Sequence, residues 1–340
     1  MRPSSLLRSM RIASCLLAAL LPAHAWDYEG HRTVNLAALN LLPKSFPDWA
    51  RTPETRERIA FLSGELDRWR NTPHSPLRHA NHPDHYFDLE DLPPLELTLT
   101  NLPPFRYEFV AHLARLRATH PERFRPVNPT NDLDRIRWLP GFLPWSIAED
   151  FARLKSAFSY LKAYETSGNP TQVANARANV VHLMGVMGHA VGDATQPLHS
   201  TIHYNGWVGP NPNGYLTQRT FHAWIDGGYL RKVGLQLEDV LARTRPAQTL
   251  RSLPDAPQED PVFRFACRFV GEQFERMEPL YAMEKAGKLS GEPGLGQEGK
   301  PYLLEQLARA ANTLADLWLT AYEQAPPDRF LLSQLANPLP

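Results

Sequence analysis

Hydrophobic positions along this chain recur mostly every three to four residues. Ile59, Leu62, Leu66 and Trp69 form one such stripe, Ile147, Phe151, Leu154, Phe158 and Leu161 a second, and Leu303, Leu307, Leu314, Leu317 and Ala321 a third. That period places apolar side chains on one face of a helix. Residues 179–193 are apolar almost all round, the pattern of a helix buried on every side. Alternating, strand-like patterns are scarce. The expectation is an all-α fold, a single compact multi-helix domain, with stiff proline-bearing connections at residues 92–104, 121–144 and 210–214. Proline is frequent, at 32 residues, and reads as falling between helices. No Gly/Ser linker, low-complexity stretch or repeat marks a second domain.

The first 25 residues read differently. Arg2, Arg8 and Arg11 precede an apolar run at residues 12–21, and Ala23-His24-Ala25 supplies a small-x-small cleavage pattern. The run is too short to span a bilayer. The expectation is an export signal over residues 1–25, a catalytic domain over 26–340, and a periplasmic or extracellular location after cleavage between Ala25 and Trp26. Cleavage removes three arginines, leaving 33 basic against 36 acidic residues and a formal charge of −3. That balance does not advertise nucleic-acid binding, although bound metal ions can supply a local positive field that Lys and Arg otherwise provide. Cys15 leaves with the signal, so Cys267 stands alone and no internal disulfide forms. A core of this size carries the stability instead. Nothing points to an obligate protein partner, and a monomer is expected.

Thirteen histidines are present, and three places set them beside carboxylates at spacings that a metal ion can use. In His189-Ala-Val-Gly-Asp193-Ala-Thr-Gln-Pro197-Leu-His199, His189 and Asp193 are one helical turn apart, so imidazole and carboxylate share a face. Pro197 is expected to end the helix and turn His199 back toward the same cavity. An isolated His-x3-Asp also fits a buried helix whose His and Asp merely bond each other. His222-Ala-Trp-Ile-Asp226 repeats the spacing. Asp84-His85-Tyr86-Phe87-Asp88-Leu89-Glu90-Asp91 reads either as an exposed acidic loop or as part of a site, and Asp67, between Leu66 and Trp69, points partly inward. At the expected mature terminus, Trp26-Asp-Tyr-Glu-Gly30-His31, a freed Trp26 amine and carbonyl can chelate a metal, with His31 close behind.

In this order and spacing the residues resemble the zinc-dependent phospholipase C and mung-bean-nuclease type superfamily, from Trp26 to about Asp226, with a closing helix near Trp318. The resemblance implies three zinc ions. One is held by Asp67, His85 and His189, a second by the Trp26 amine and carbonyl with His31, and Asp193 bridges the two. The third takes His199, His222 and Asp226. Nine residues for three ions leave open positions, as catalytic zinc requires. The ions bring about six positive charges against about three from the aspartates, so the site attracts a phosphodiester. The implied chemistry is in-line attack on phosphorus by a hydroxide bridging two zincs, with Asp67 and Arg70 as catalytic residues and Arg70 stabilising the transition state.

Both branches of the superfamily share this cage. The Trp26 to His31 spacing, the string His-Tyr-Phe-Asp-Leu-Glu-Asp and the final Asp226 are similar to the nuclease branch, which implies single-stranded DNA or RNA as substrate and 3′-nucleotidase activity as an associated reaction. Tyr86 would then stack on a base and Asp88 bond its edge, whereas core packing is the other reading of Tyr86. A phospholipase C acting on glycerophospholipids is the alternative, and a zinc-stapled, non-enzymatic protein a third. The chain departs from plant and fungal nucleases in lacking their disulfides. It also carries a long stretch over residues 92–147, with Trp138 and Trp145, where substrate-selecting loops are expected. Of His79, His82 and His85, His85 is favoured as ligand because Tyr-Phe-Asp follows it. His182 reads as a core or supporting histidine on the face of His189, and His203 and Asn205 as the pocket rim.

Overall fold

Many helices of this protein begin with proline. Pro53, Pro144, Pro170, Pro261 and Pro301 each stand in a first helical turn, where the missing N–H is not needed and the fixed φ already suits a helix. The prolines expected between helices are thus in large part helix starts. A computed structural model describes residues 26–250 and 260–337. The export signal expected at residues 1–25 lies outside the described residues.

The helices in chain order are α1 Tyr28–Leu41, α2 Pro53–Leu62, α3 Glu65–Arg70, α4 Ser75–Asn81, α5 Arg106–Thr119, α6 Leu143–Ser167 and α7 Pro170–Asp193. They continue with α8 Phe221–Ala223, α9 Tyr229–Lys232, α10 Leu237–Leu241, α11 Pro261–Phe274, α12 Met277–Lys285, α13 Lys300–Gln324 and α14 Arg329–Ala336. Short 3-10 turns fill the connections, and among the described residues extended pairing is limited to two isolated bridges, Phe87 with Gly141 and Tyr204 with Gly206. The described residues form one all-α domain. No helix among them is long and apolar enough to cross a membrane. Cys267 is buried and unpaired.

The core forms around α7, which packs against α6, α2, α13 and α1. Its start is fixed by a capping box in which the Asn169 side chain accepts from the Gln172 N–H while the Gln172 side chain accepts from the Asn169 N–H, both at 2.9 Å. Its second half is buried from Met184 to Asp193, as the all-round apolar run predicted. The stripes of α6 and α13 are buried along their predicted faces.

Three expectations change. The stripe from Ile59 to Trp69 is two helices, because α2 stops at Leu62 and α3 starts at Glu65. At the break, Gly64 lies so close to α1 that a Cβ on it would stand 2.8 Å from the Tyr28 ring. Second, α7 ends at Asp193, four residues before Pro197, which instead opens a 3-10 turn at Pro197–Ser200. Third, residues 92–147 are not simply a loop region. They contain α5, and Trp145 sits in α6, buried in an aromatic cluster with Phe109, Phe142 and Phe263 rather than at a substrate entrance.

Candidate metal centre

The C-terminal end of α7 carries the first pair. His189 and Asp193 are fully buried, with His189 Nε2 3.4 Å from Asp193 Oδ2. The ring is oriented from behind, because Nδ1 lies 2.6 Å from the Ser63 carbonyl. The break between α2 and α3 leaves that carbonyl available, and the bond fixes the tautomer that turns Nε2 into the site. Asp67 on α3 brings Oδ1 to 3.8 Å from the same Nε2. His85, at the end of the 3-10 turn His82–His85, meets His189 edge-on with ring centroids 4.8 Å apart. His31 on α1 stacks on His189 at 3.8 Å.

Asp193 is the hub. Its Oδ2 lies 2.9 Å from His85 Nδ1, and its Oδ1 lies 3.4 Å from His31 Nε2 and 3.6 Å from His199 Nδ1. Four imidazoles therefore surround one carboxylate. The close approach of α1 needs Gly192, since a Cβ there would stand 2.7 Å from His31 Nδ1.

The second pair lies on a differently wound stretch. His222 belongs to α8, and a π-helical turn at Trp224–Gly228 carries Asp226. His222 Nε2 is 3.1 Å from Asp226 Oδ2 and 2.9 Å from His199 Nε2. Gln196 donates its side-chain N–H to Asp226 Oδ1 while its carbonyl oxygen accepts from the Leu198 N–H at 3.0 Å, which ties the turn bearing His199 to the π-turn. His199 Nδ1 lies 2.5 Å from the His85 carbonyl, and the Phe87 N–H donates to the His199 carbonyl at 2.9 Å. The two halves of the centre are joined by those bonds.

Three groups of donors thus converge: His31, His189 and Asp193; Asp67, His85 and His189; His199, His222 and Asp226. Within each group the donor atoms all lie within 4.8 Å of one another, and every residue is buried. Donors about 2.0–2.2 Å from a tetrahedral ion stand about 3.3–3.6 Å from each other, the range of the His189–Asp193 and His31–Asp193 separations, both 3.4 Å. Among atoms left without a hydrogen bond are His31 Nδ1 and His85 Nε2, both buried, and unpaired buried polar atoms of this kind call for a partner. Electrostatics agree. Burial holds the His31 and His222 imidazoles below their ordinary range and pushes His85 down to about 3 and His199 to about 4, so they are neutral and able to ligate. Burial pushes the Asp226 carboxyl well up despite the Gln196 bond, and a nearby cation would reverse that. His189 is raised in spite of burial, because Asp193 and Asp67 face it. The residues present fit a cluster of divalent ions, and three such triads in an all-α domain support a metal-dependent hydrolytic enzyme.

Trp26 is fully buried beside this centre. Its indole N–H donates to the Gly192 carbonyl at 3.0 Å, and the Asp27 N–H donates to the Asp226 carbonyl at 3.0 Å. Arg70 is buried and places Nε 2.7 Å from Asp67 Oδ1. It lines a pocket of about 200 Å³ that opens onto His85, His199 and His222. Tyr86 and Asp88 line the same pocket. Tyr86 is half-buried, edge-on to His82. Asp88 is buried, accepts from Arg125 at 2.8 Å, and is pushed up to about 7 by burial, which outweighs Arg125.

Other histidines fall elsewhere. His79 and His82 both face Asp134, through its carbonyl at 2.7 Å and its carboxylate at 3.2 Å. His182 is exposed, contrary to the expectation of a core or supporting histidine: seven residues span nearly two turns and keep it on the face of His189, but the helix is buried on all sides only from Met184 onward. His203 stacks on Trp207 at 3.9 Å, and Asn205 accepts from the His222 N–H at 3.3 Å, so neither forms the rim. The wall that sequence reasoning missed comes from residues 125–139 and from Tyr204, and includes Arg125, Asp134, Ile136 and Arg137. These lie on irregular backbone with no periodicity to mark them. A scan against protein-family models matches no family, and searches of curated proteins and of solved structures find no match to this chain.

Proposed function

We propose that this chain is an exported, monomeric phosphodiesterase with three zinc ions that hydrolyses single-stranded DNA or RNA. The observation that carries the reading is Asp193, a buried carboxylate set among His31, His85, His189 and His199, with the triad of His199, His222 and Asp226 alongside. Asp67, His85 and His189 would hold one ion, His31 with the Trp26 amine and carbonyl a second, and His199, His222 and Asp226 the third, with Asp193 shared between the first two. When bound, the ions supply Lewis acidity and a water nucleophile active near neutral pH.

The protein's own groups do the remaining work. Asp67 holds the Arg70 guanidinium against the pocket, where its fixed donors meet negative charge growing on the phosphoryl oxygens. Ser63, His85 and Gln196 hold the surrounding side chains in one orientation, so little reorganisation accompanies reaction. Tyr86 offers a ring for a base, and Asp88 with Arg125 faces its polar edge. The buried aspartates need cations, and that need supports metal more strongly than a purely structural cluster of His–Asp hydrogen bonds does.

The test is turnover of linear single-stranded DNA against phosphatidylcholine vesicles, with protein beginning at Trp26. DNA cleavage abolished by a chelator and restored by zinc is expected. Lipid cleavage without DNA cleavage would transfer the reading to a phospholipase C, and three ions per chain with no diester turned over would leave a structural cluster.

A further inference from the structure

The charges that line the pocket are nearly all matched. Arg70 pairs with Asp67, Arg125 with Asp88 and Asp91, and Asp134 with Arg78 and His82. Arg137 is the exception: among the described residues it is the one charged lining group with no opposite charge within ion-pair distance. It is exposed, and its Nε donates to the Asn131 carbonyl at 2.7 Å, which anchors one edge of the guanidinium and leaves the terminal nitrogens to solvent.

Its position is built rather than incidental. Asp132 Oδ1 accepts from the Ile136 and Arg137 N–H groups at 2.9 and 3.1 Å, closing a tight turn. Arg135 takes φ 57°, a left-handed conformation uncommon outside glycine. The Trp138 indole donates to the Arg135 carbonyl at 3.1 Å, and the Arg117 guanidinium lies over that indole at 4.6 Å. Beyond the turn, the Asp88 N–H donates to the Pro140 carbonyl at 2.7 Å, which fastens the segment to the strand of chain that follows His85. Arg137 also lines a smaller cleft bounded by Asp91 and Trp138, on the side of the pocket formed by residues 125–139. The pocket itself, at about 200 Å³, is smaller than the roughly 300–1,000 Å³ of ordinary ligand sites.

We infer that Arg137 is a second anion subsite, which binds a phosphate adjacent to the phosphodiester being cleaved. This rests on the phosphodiesterase reading and narrows its substrate class: the favoured substrates are nucleotides carrying a second phosphate next to the scissile one, as at a phosphorylated strand end. A guanidinium held at one edge and free at the other suits a phosphate, which accepts two parallel N–H bonds. Because the group is exposed, its contribution weakens as salt screens it.

The experiment compares kcat/KM for cleavage of the internal diester in a dinucleoside monophosphate with that in the same compound bearing a terminal phosphate, tried at the 5′ and at the 3′ end. For the wild-type protein a phosphate at one end is expected to raise kcat/KM about 10-fold at low salt, less at 0.5 M NaCl. In Arg137→Gln the ratio is expected to fall to about one, and in Arg137→Lys to be intermediate; a ratio is unaffected by a general loss of activity. A wild-type ratio near one, or a ratio that survives in Arg137→Gln, overturns the subsite while cleavage of both compounds leaves the phosphodiesterase standing. Failure to cleave either compound, with or without added zinc, removes the nucleotide reading and the subsite together.

Discussion

The two His-x3-Asp pairs have the same spacing and are supported in different ways. His189 and Asp193 lie on a regular helix 24 residues long, and the backbone and core around them do the positioning: the Ser63 carbonyl turns the imidazole, and glycines at 185, 188 and 192 let α1 and α2 close in. His222 and Asp226 lie where an α-turn becomes a π-turn, a winding that is rare and often found at functional sites. There, side chains from other segments do the positioning, Gln196 on Asp226 and Asn205 on the His222 N–H. The separations are similar, 3.4 and 3.1 Å. Spacing therefore sets which face two ligands share, and the surroundings decide what it takes to disturb them.

The comparison yields ordered expectations. Asp193→Asn should be the most damaging change, because one carboxylate serves four imidazoles. Loss of several kcal/mol of metal-derived stabilisation lowers kcat/KM by about 10³-fold or more, with metal content falling by more than one ion per chain. His222→Ala should remove about one ion and spare the others, so metal analysis separates the two halves; equal losses in both variants would mean that the pairs are a single unit. Next comes a contrast in how each pair fails. Gln196→Ala should weaken metal binding by roughly 10–100-fold with little change in the folding of the metal-free protein, as titration with a zinc indicator would report. Gly188→Ala should do the opposite. Its Cβ would stand 1.7 Å from Asn35 Oδ1, whose amide donates to the Ile59 and Gly185 carbonyls at 2.9 and 3.0 Å. Overpacking of this kind costs about 1–3 kcal/mol, read from urea unfolding.

The smallest expected effect concerns pH. Free imidazoles lose metal as pH falls through their usual value near 6.5, because protons compete for the ring nitrogen. Burial holds His199 down to about 4 and His222 below its ordinary range, so imidazole protons compete with metal at the His199, His222 and Asp226 group only well below 6.5, whereas His189, raised by Asp193 and Asp67, brings that competition to the other two groups at higher pH. At fixed free zinc the ion held by His199, His222 and Asp226 should persist to lower pH than the two that share His189. Loss of all three ions together, in parallel with a free-imidazole titration near 6.5, would show that burial does not protect His199 and His222.

Much of this was legible in the chain. Periodicity marked α6, α13 and the buried half of α7, because a helix repeats its environment every three to four residues. The two His-x3-Asp pairs were legible because their spacing is local, within one turn for each pair, whereas His31, Asp67 and His85, far apart in the chain, were nominated as ligands through the family resemblance. What was not legible depends on groups without a side-chain signature or on distant backbone. The Ser63 carbonyl orients His189, yet any residue has a carbonyl. The break between α2 and α3 interrupts an unbroken stripe, and the glycine in it lies against Tyr28, over thirty residues earlier, a contact with no signature in the local pattern. Arg125 and Arg137 reach the pocket on irregular chain. Trp145 had the composition of a loop aromatic and proved to be core, since Pro144 beside it starts a helix instead of interrupting one.

The most direct test of the central claim is metal content, measured by elemental analysis, on two preparations: one beginning at Trp26 and one with a single extra residue before it. Close to three ions per chain are expected in the first and close to two in the second, with most DNA cleavage lost, because an acylated Trp26 nitrogen cannot chelate. Equal metal content and equal activity in both preparations would contradict it.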